Sequence, residues 1–252
     1  MSFSEYFEEL KKIQKSILDF IENGSEIEER YQNLQCLIFD LKIRDNQYKI
    51  KSLLYLIIKI VNNHHREVGF FSKIEQILHF LKDDIIKYFS NLEIFNIFKS
   101  NKRILLFLFE EKIITMNKSI IQIFNNSKYI IRNYPQYFSP EITPFINEKW
   151  FPKNASFYEE ITKELPEKFY ENRKIGENDD NIGQIIREDL IEEFIVFINK
   201  NLYSLQSTIN SSIFETNSFL LKKQNQQQHQ ITLIEYAAFF GSSHIFNYLR
   251  LN

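Results

Sequence analysis

Turn-forming residues are scarce in this chain. Its 252 residues include only 5 Gly and 5 Pro. An all-β fold needs frequent tight turns, so the shortage points to an all-α protein. Cysteine is nearly absent. The single Cys36 excludes an intramolecular disulfide and fits a reducing compartment; set between Gln35 and Leu37 in an apolar helical pattern, it reads as core. No excess of one charge is present: 31 basic residues meet 33 acidic ones, for a formal net charge of −2. Such a chain has no long-range field to steer nucleic acid or an anionic membrane, and neither is expected as a partner. Long apolar runs are missing too. The most apolar stretch, Leu53 to Val61, is interrupted by Lys59 and is far too short to span a bilayer. The N-terminus lacks the basic start and apolar run of a secretion signal, so the expected location is cytoplasmic, with the nucleus also open.

Motifs for chemistry are missing as well. The chain has no G-x-x-x-x-G-K-[ST] loop, no G-x-S-x-G elbow and no Gly-rich dinucleotide fingerprint. His64-His65-Arg66-Glu67 holds the only histidine pair, but adjacent side chains on a helix point apart and nothing completes a metal shell. Asp179-Asp180 lacks the alternating oxygen ligands of a calcium loop. His79 and His244 lie beside apolar residues and read as structural. Sequon-like triplets at Asn23, Asn125, Asn154 and Asn210 read as loop and cap residues. No catalytic residue, metal ligand or cofactor is expected.

Aromatic residues are abundant, with 25 Phe and 13 Tyr. Capping signals recur before helical apolar patterns: Ser2-x-x-Glu5, Ser25-x-x-Glu28, Ser72-x-x-Glu75, Ser90-x-x-Glu93 and Ser156-x-x-Glu159. Another helix is expected from about Asn46 to Asn62. The apolar run Ile104 to Phe109 reads as helix because its flanks are charged and no partner strands lie nearby. An N-terminal helical region over residues 1–133 follows. Four prolines then punctuate Tyr134 to Lys153, opening a crossover and helix over residues 134–175, where Trp150 and Phe151 are expected to dock on a core and Pro166 to kink or divide a helix.

The polar loop Gly176 to Asn181 marks the start of the last region, residues 176–252. Within it the stretch Thr232-Leu233-Ile234-Glu235-Tyr236-Ala237-Ala238-Phe239-Phe240-Gly241 predicts a short helix. Thr232 and Glu235 form a capping box, and Gly241 supplies the positive φ that ends it. Ile245, Phe246, Tyr248 and Leu249 give the next helix its apolar residues. This pattern resembles the ankyrin repeat, T-P-L-H-x-A-A-x-x-G followed by a second helix. Thr232, Ile234, Ala237, Ala238 and Gly241 match in register. Leu233 replaces the proline, and Glu235 replaces the histidine with a capping contact of its own. Residues 182–201 read as a degenerate unit in which Asp189 takes the place of the inter-helix glycine. Asp189 and Gly241 are 52 residues apart, against about 33 for a repeat, so residues 202–230 read as an insertion with a Gln-rich end.

The resemblance implies helical hairpins stacked as an α-solenoid, and a non-catalytic scaffold that binds a protein partner through its concave face and loops. Ala237 and Ala238 are then expected to face neighbouring helices, with Phe239 and Phe240 near the recognition side. The final helix carries Ile245, Phe246, Tyr248, Leu249 and Leu251, more apolar residues than one face holds. An exposed apolar patch is expected there, with self-association through an uncapped end as one consequence. Two alternatives stand beside this reading: an enzyme or enzyme subunit whose site is assembled from scattered residues, and a shortened repeat array with no binding role of its own.

Overall fold

The computed structural model describes all residues except 1–2, 23–25, 65–68, 127–128, 130–132, 152–154, 164, 218–219 and 221–229. The expected capping boxes at Ser2 and Ser25, the residues His65, Arg66 and Glu67, and most of the Gln-rich run lie outside the described residues. Within them the regular structure is helical, and the β contact is an isolated antiparallel bridge between Thr208 and Thr232. The fold is all-α. The chain divides into two compact units, one of Met1–Ser100 with Phe107–Thr115, the other of Asn101–Leu106 with Met116–Asn252.

In the first unit, α1 (Phe3–Glu22) pairs with α2 (Ile27–Asp40) and also meets α4 (Phe70–Phe80). Helix α3 (Gln47–Asn63) packs on α5 (Lys82–Tyr88) and α6 (Asn91–Phe98). Asn46 starts α3 by accepting the N–H groups of Tyr48 and Lys49 at 2.9 and 3.2 Å. Ile50, Leu53, Leu54, Ile57 and Val61 recur at helical spacing, and all are fully buried. Ser90 and Glu93 form the expected capping box at α6. The hydroxyl and N–H of Ser90 hold the Glu93 carboxyl below its usual range.

Two expectations fail in this unit. Helix α4 starts at Phe70, after Gly69 at φ 80°, so Ser72 lies inside the first turn and caps nothing. The positive φ at Gly69 turns the chain two residues early and lets Phe70 bury its ring. Cys36 is exposed rather than core. Leu34 and Ile38 take the buried side of α2, and a residue midway between them points about 200° away.

Helix α7 (Lys102–Glu110) contains the run Ile104 to Phe109, as the charged flanks predicted. In the second unit, α8 (Lys118–Phe124), α9 (Tyr134–Tyr137) and α10 (Ser139–Ile142) precede a 3₁₀ turn, Thr143–Phe145. Pro135 and Pro140 sit in the first turns of α9 and α10, where a missing N–H costs nothing. The Phe124 and Phe138 rings stack at 5.0 Å. Trp150 lies 6.1 Å from Phe145, and Phe151 lies 5.4 Å from Tyr158. Helix α11 (Ala155–Lys163) begins before Ser156, which is therefore not its cap. Pro166 falls between α11 and α12 (Phe169–Ile175), dividing rather than kinking.

Candidate functional site: the C-terminal hairpin pair

Four helices close the chain: α13 (Asn181–Arg187), α14 (Ile191–Asn201), α15 (Leu233–Phe240) and α16 (Ser243–Leu251). They form two hairpins with the same turn. Helix α13 ends on Asp189 at φ 52°, whose N–H donates to the Ile186 carbonyl while Leu190 N–H reaches Ile185. Helix α15 ends on Gly241 at φ 71°, whose N–H donates to Ala238 while Ser242 N–H reaches Ala237. Both are left-handed closures that satisfy the last carbonyls of a helix. The placement of Asp189 at an inter-helix turn is thus observed.

The hairpins pack in register, α13 on α15 and α14 on α16. Ile182, Ile186, Phe194, Leu233, Ala237 and Ile245 build their shared core. Polar contacts join them as well. Asp189 Oδ1 accepts the Ile245 N–H at 3.0 Å, and Oδ2 accepts the His244 N–H at 3.1 Å. The first turn of α16 is therefore capped by a side chain from the other hairpin, while Ser242, at the cap position, makes no side-chain cap. His244 Nδ1 meets the same carboxylate at 2.7 Å. Burial alone would raise the Asp189 pKa, but the Ile245 and His244 N–H groups and the His244 ring outweigh it and hold the carboxyl below its ordinary value. The Ser242 hydroxyl donates to the Ile186 carbonyl.

Thr232 and Glu235 form the complete capping box expected at α15: the Thr232 N–H donates to Glu235 Oε2 at 2.9 Å, and the Glu235 N–H donates to Thr232 Oγ1 at 3.3 Å. Tyr236 is buried, and its hydroxyl accepts from Arg187 at 2.8 Å. Arg187 in turn pairs with Glu177 at 2.8 Å. Burial pushes the Tyr236 phenol well above its ordinary pKa.

Ala237 faces the core as expected, but Ala238 is exposed. Leu233, Tyr236 and Ala237 occupy the inner side of α15, and Ala238 falls opposite them. Phe239 and Phe240 are both half-buried; Phe240 lies 4.7 Å from Tyr236 and 5.9 Å from the Arg187 guanidinium carbon. The apolar patch expected on α16 shrinks to one residue. Ile245 and Leu249 are buried, Phe246 and Tyr248 are half-buried, and Tyr248 lies 6.1 Å from Phe194. Only Leu251 projects, at 75% exposure. Helix α14 covers the rest, because its own apolar face lies beside α16.

A different apolar feature stands at this end. Leu202, which closes α14 at φ 52°, is 92% exposed. A cleft of about 340 Å³ lies between the turn at Ser204, Leu205 and Gln206 and the residues Ile234, Leu249 and Asn252.

Residues 203–217, within the stretch that reads as an insertion, make defined contacts. The Ile209 N–H donates to the Ile231 carbonyl at 2.8 Å, and the Leu233 N–H to Ser207 at 3.1 Å. The Lys102 ammonium, 1% exposed, donates to the Ile213 carbonyl at 2.6 Å and lies 5.0 Å from the Tyr137 ring. The Thr216 hydroxyl donates to the Gly176 carbonyl. Arg173, also buried, pairs with Glu141 at 2.7 Å. None of these polar groups was legible as core, since Lys and Arg are rarely buried. Asn210 and Ser212, a sequon by spelling, are bonded to Asp180 and Asp179, which supports their structural reading.

Among the described residues, no group of His, Cys, Asp and Glu is placed to hold a metal. His64 Nε2 meets Glu22 at 2.9 Å, and His79 Nδ1 meets Glu111 at 3.1 Å. No helix of the described residues is long and apolar enough to cross a membrane. No protein-family model, curated protein or solved structure matches this chain. The ankyrin resemblance rests on the residues of the C-terminal stretch alone.

Proposed function

We propose that this protein is a non-catalytic interaction scaffold of the ankyrin-repeat type, located in the cytoplasm or nucleus. It binds a protein partner through the concave face and loops of its C-terminal hairpins. The observation that supports this most is the surface at the hairpins' far end. A cleft there is bordered by Leu205, Ile234 and Leu249, and the residues that close α14 and α16, Leu202 and Leu251, are 92% and 75% exposed. Apolar side chains displayed at the ends of packed hairpins, with a cleft in the same hairpin pair, suit partner recognition. Leu202 also holds a left-handed backbone that leucine adopts at a cost of about 1–2 kcal/mol.

The test compares proteins retained from native lysate by the wild type and by a Leu202→Asn, Leu251→Asp double variant. Asn tolerates the left-handed conformation, so the variant folds. A discrete protein retained by the wild type and lost by the variant supports the reading. Identical capture by both, with thermal stability matched, overturns it.

A further inference from the structure

The outward face of α3, in the other compact unit, is built for contact rather than for solvent alone. Tyr48, Lys51, Ser52, Tyr55 and Lys59 recur at intervals of three and four and share one side of the helix. The buried residues Ile50, Leu53, Leu54, Ile57 and Val61 take the opposite side. Tyr48 is 79% exposed and Tyr55 48%. The strip from Tyr48 to Lys59 runs about 16 Å along the helix at 1.5 Å per residue. Large aromatics left in water cost apolar surface and are enriched at interfaces, not on idle helix faces.

The charges on the strip are one-sided. Neither the Lys51 nor the Lys59 ammonium has a salt-bridge partner among the described residues, although Lys51 lies close enough to Glu93 to lower its pKa. Glu93 is itself committed to Ser90 in the capping box. On the flank, Lys49 is already paired with Glu9 at 2.9 Å, so it adds no free charge. The molecule as a whole carries −2, and the basic character of this face is local.

The geometry points to a docking surface for an acidic amphipathic helix of a partner protein, lying along α3. Its carboxylates would meet Lys51 and Lys59, and its apolar side chains would pack on the rings of Tyr48 and Tyr55. Protein is favoured over nucleic acid because two ammonium groups beside a glutamate neutralise too few phosphates to hold a strand.

The experiment uses the full chain and fluorescence anisotropy at low salt. The probe is a fluorescein-labelled amphipathic peptide of Leu and Glu. The comparisons are the same peptide with Lys for Glu, and a labelled oligo(dT). The acidic peptide is expected to bind, to weaken as salt rises, and to lose about tenfold in affinity in both Lys51→Glu/Lys59→Glu and Tyr48→Ala/Tyr55→Ala. Tyr48, Tyr55 and Lys59 are exposed and Lys51 is half-buried, so circular dichroism and melting temperature are used to confirm that both variants fold. Four outcomes overturn the proposal: no binding of the acidic peptide, equal binding of the Lys peptide, affinity unchanged in either variant, or oligo(dT) binding lost in the same variants. The Leu202 and Leu251 substitutions leave this binding unchanged, which separates the surface from the C-terminal end.

Discussion

The backbone of Asp189 closes α13 while its carboxylate caps α16, so a substitution there removes the cap of one helix and alters the cost of the left-handed turn that ends the other. Asp189→Ala forfeits the cap, at about 1 kcal/mol, and places a Cβ-bearing residue without local hydrogen bonding in a left-handed well, at about 1 kcal/mol more. A loss of about 2 kcal/mol is expected in urea titration. Asp189→Gly relieves the second cost and should lose only about half as much. A drop under about 0.5 kcal/mol for the alanine variant would show that the carboxylate does not cap α16. The acid side follows from the same contacts. The folded carboxyl titrates below its ordinary value of 3.8, so the charged form is the one the fold favours. Its contribution is complete above that ordinary value and disappears as pH falls through the lower folded value. Melting temperatures of the wild type and Asp189→Asn should therefore converge as pH is lowered through and below 3.8. A gap that stays constant over that range would mean that proton linkage at Asp189 is absent.

At the scale of elements, the caps decide where helices begin and stop. Thr232→Ala removes the acceptor for the Glu235 N–H and half of a reciprocal box, and about 1 kcal/mol of stability should go with it. Ser90→Ala should cost a similar amount in the other unit. Capping chemistry is also what the sequence made readable. Thr232, Ser90, Asn46 and the turn at Asp189 are local: each works through residues within a few positions. Ser72 and Ser156 have the same spelling, yet helices start before them, because the box is only one of the ways to begin a helix. The contacts of residues 203–217 were not legible, since several of their partners are far along the chain. Lys102 holds the Ile213 carbonyl from 111 residues away. Lys102→Met should leave that carbonyl unsatisfied, at a cost of about 1–3 kcal/mol. Amide hydrogen exchange should then rise around Ile213 and Thr216 while α1 and α2 stay protected. Unchanged exchange there would assign the order of this stretch to its apolar contacts, such as Phe214 against Phe169.

Across the whole molecule, little charge keeps copies apart. The formal net charge is −2 and the isoelectric point about 6.3, so mutual repulsion is weak near neutral pH and vanishes slightly below it. Association then depends on what apolar surface is offered. Helix α16 presents less than its composition suggested, since Ile245, Phe246, Tyr248 and Leu249 are buried or half-buried against the first hairpin. What projects at the ends of α14 and α16 is Leu202 and Leu251. Two leucines bury too little area to hold a permanent dimer, which takes about 800 Å² from each partner. The expectation is a weak, concentration-dependent association centred on that end and strongest near pH 6.3. Sedimentation velocity over a concentration series checks it. The weight-average sedimentation coefficient should climb with concentration for the wild type and stay flat for Leu202→Asn, Leu251→Asp. If both climb alike, copies meet elsewhere, and the aromatic face of α3 becomes the surface to substitute. If neither climbs, the exposed leucines are reserved for a different protein, and the lysate comparison tests the same two positions.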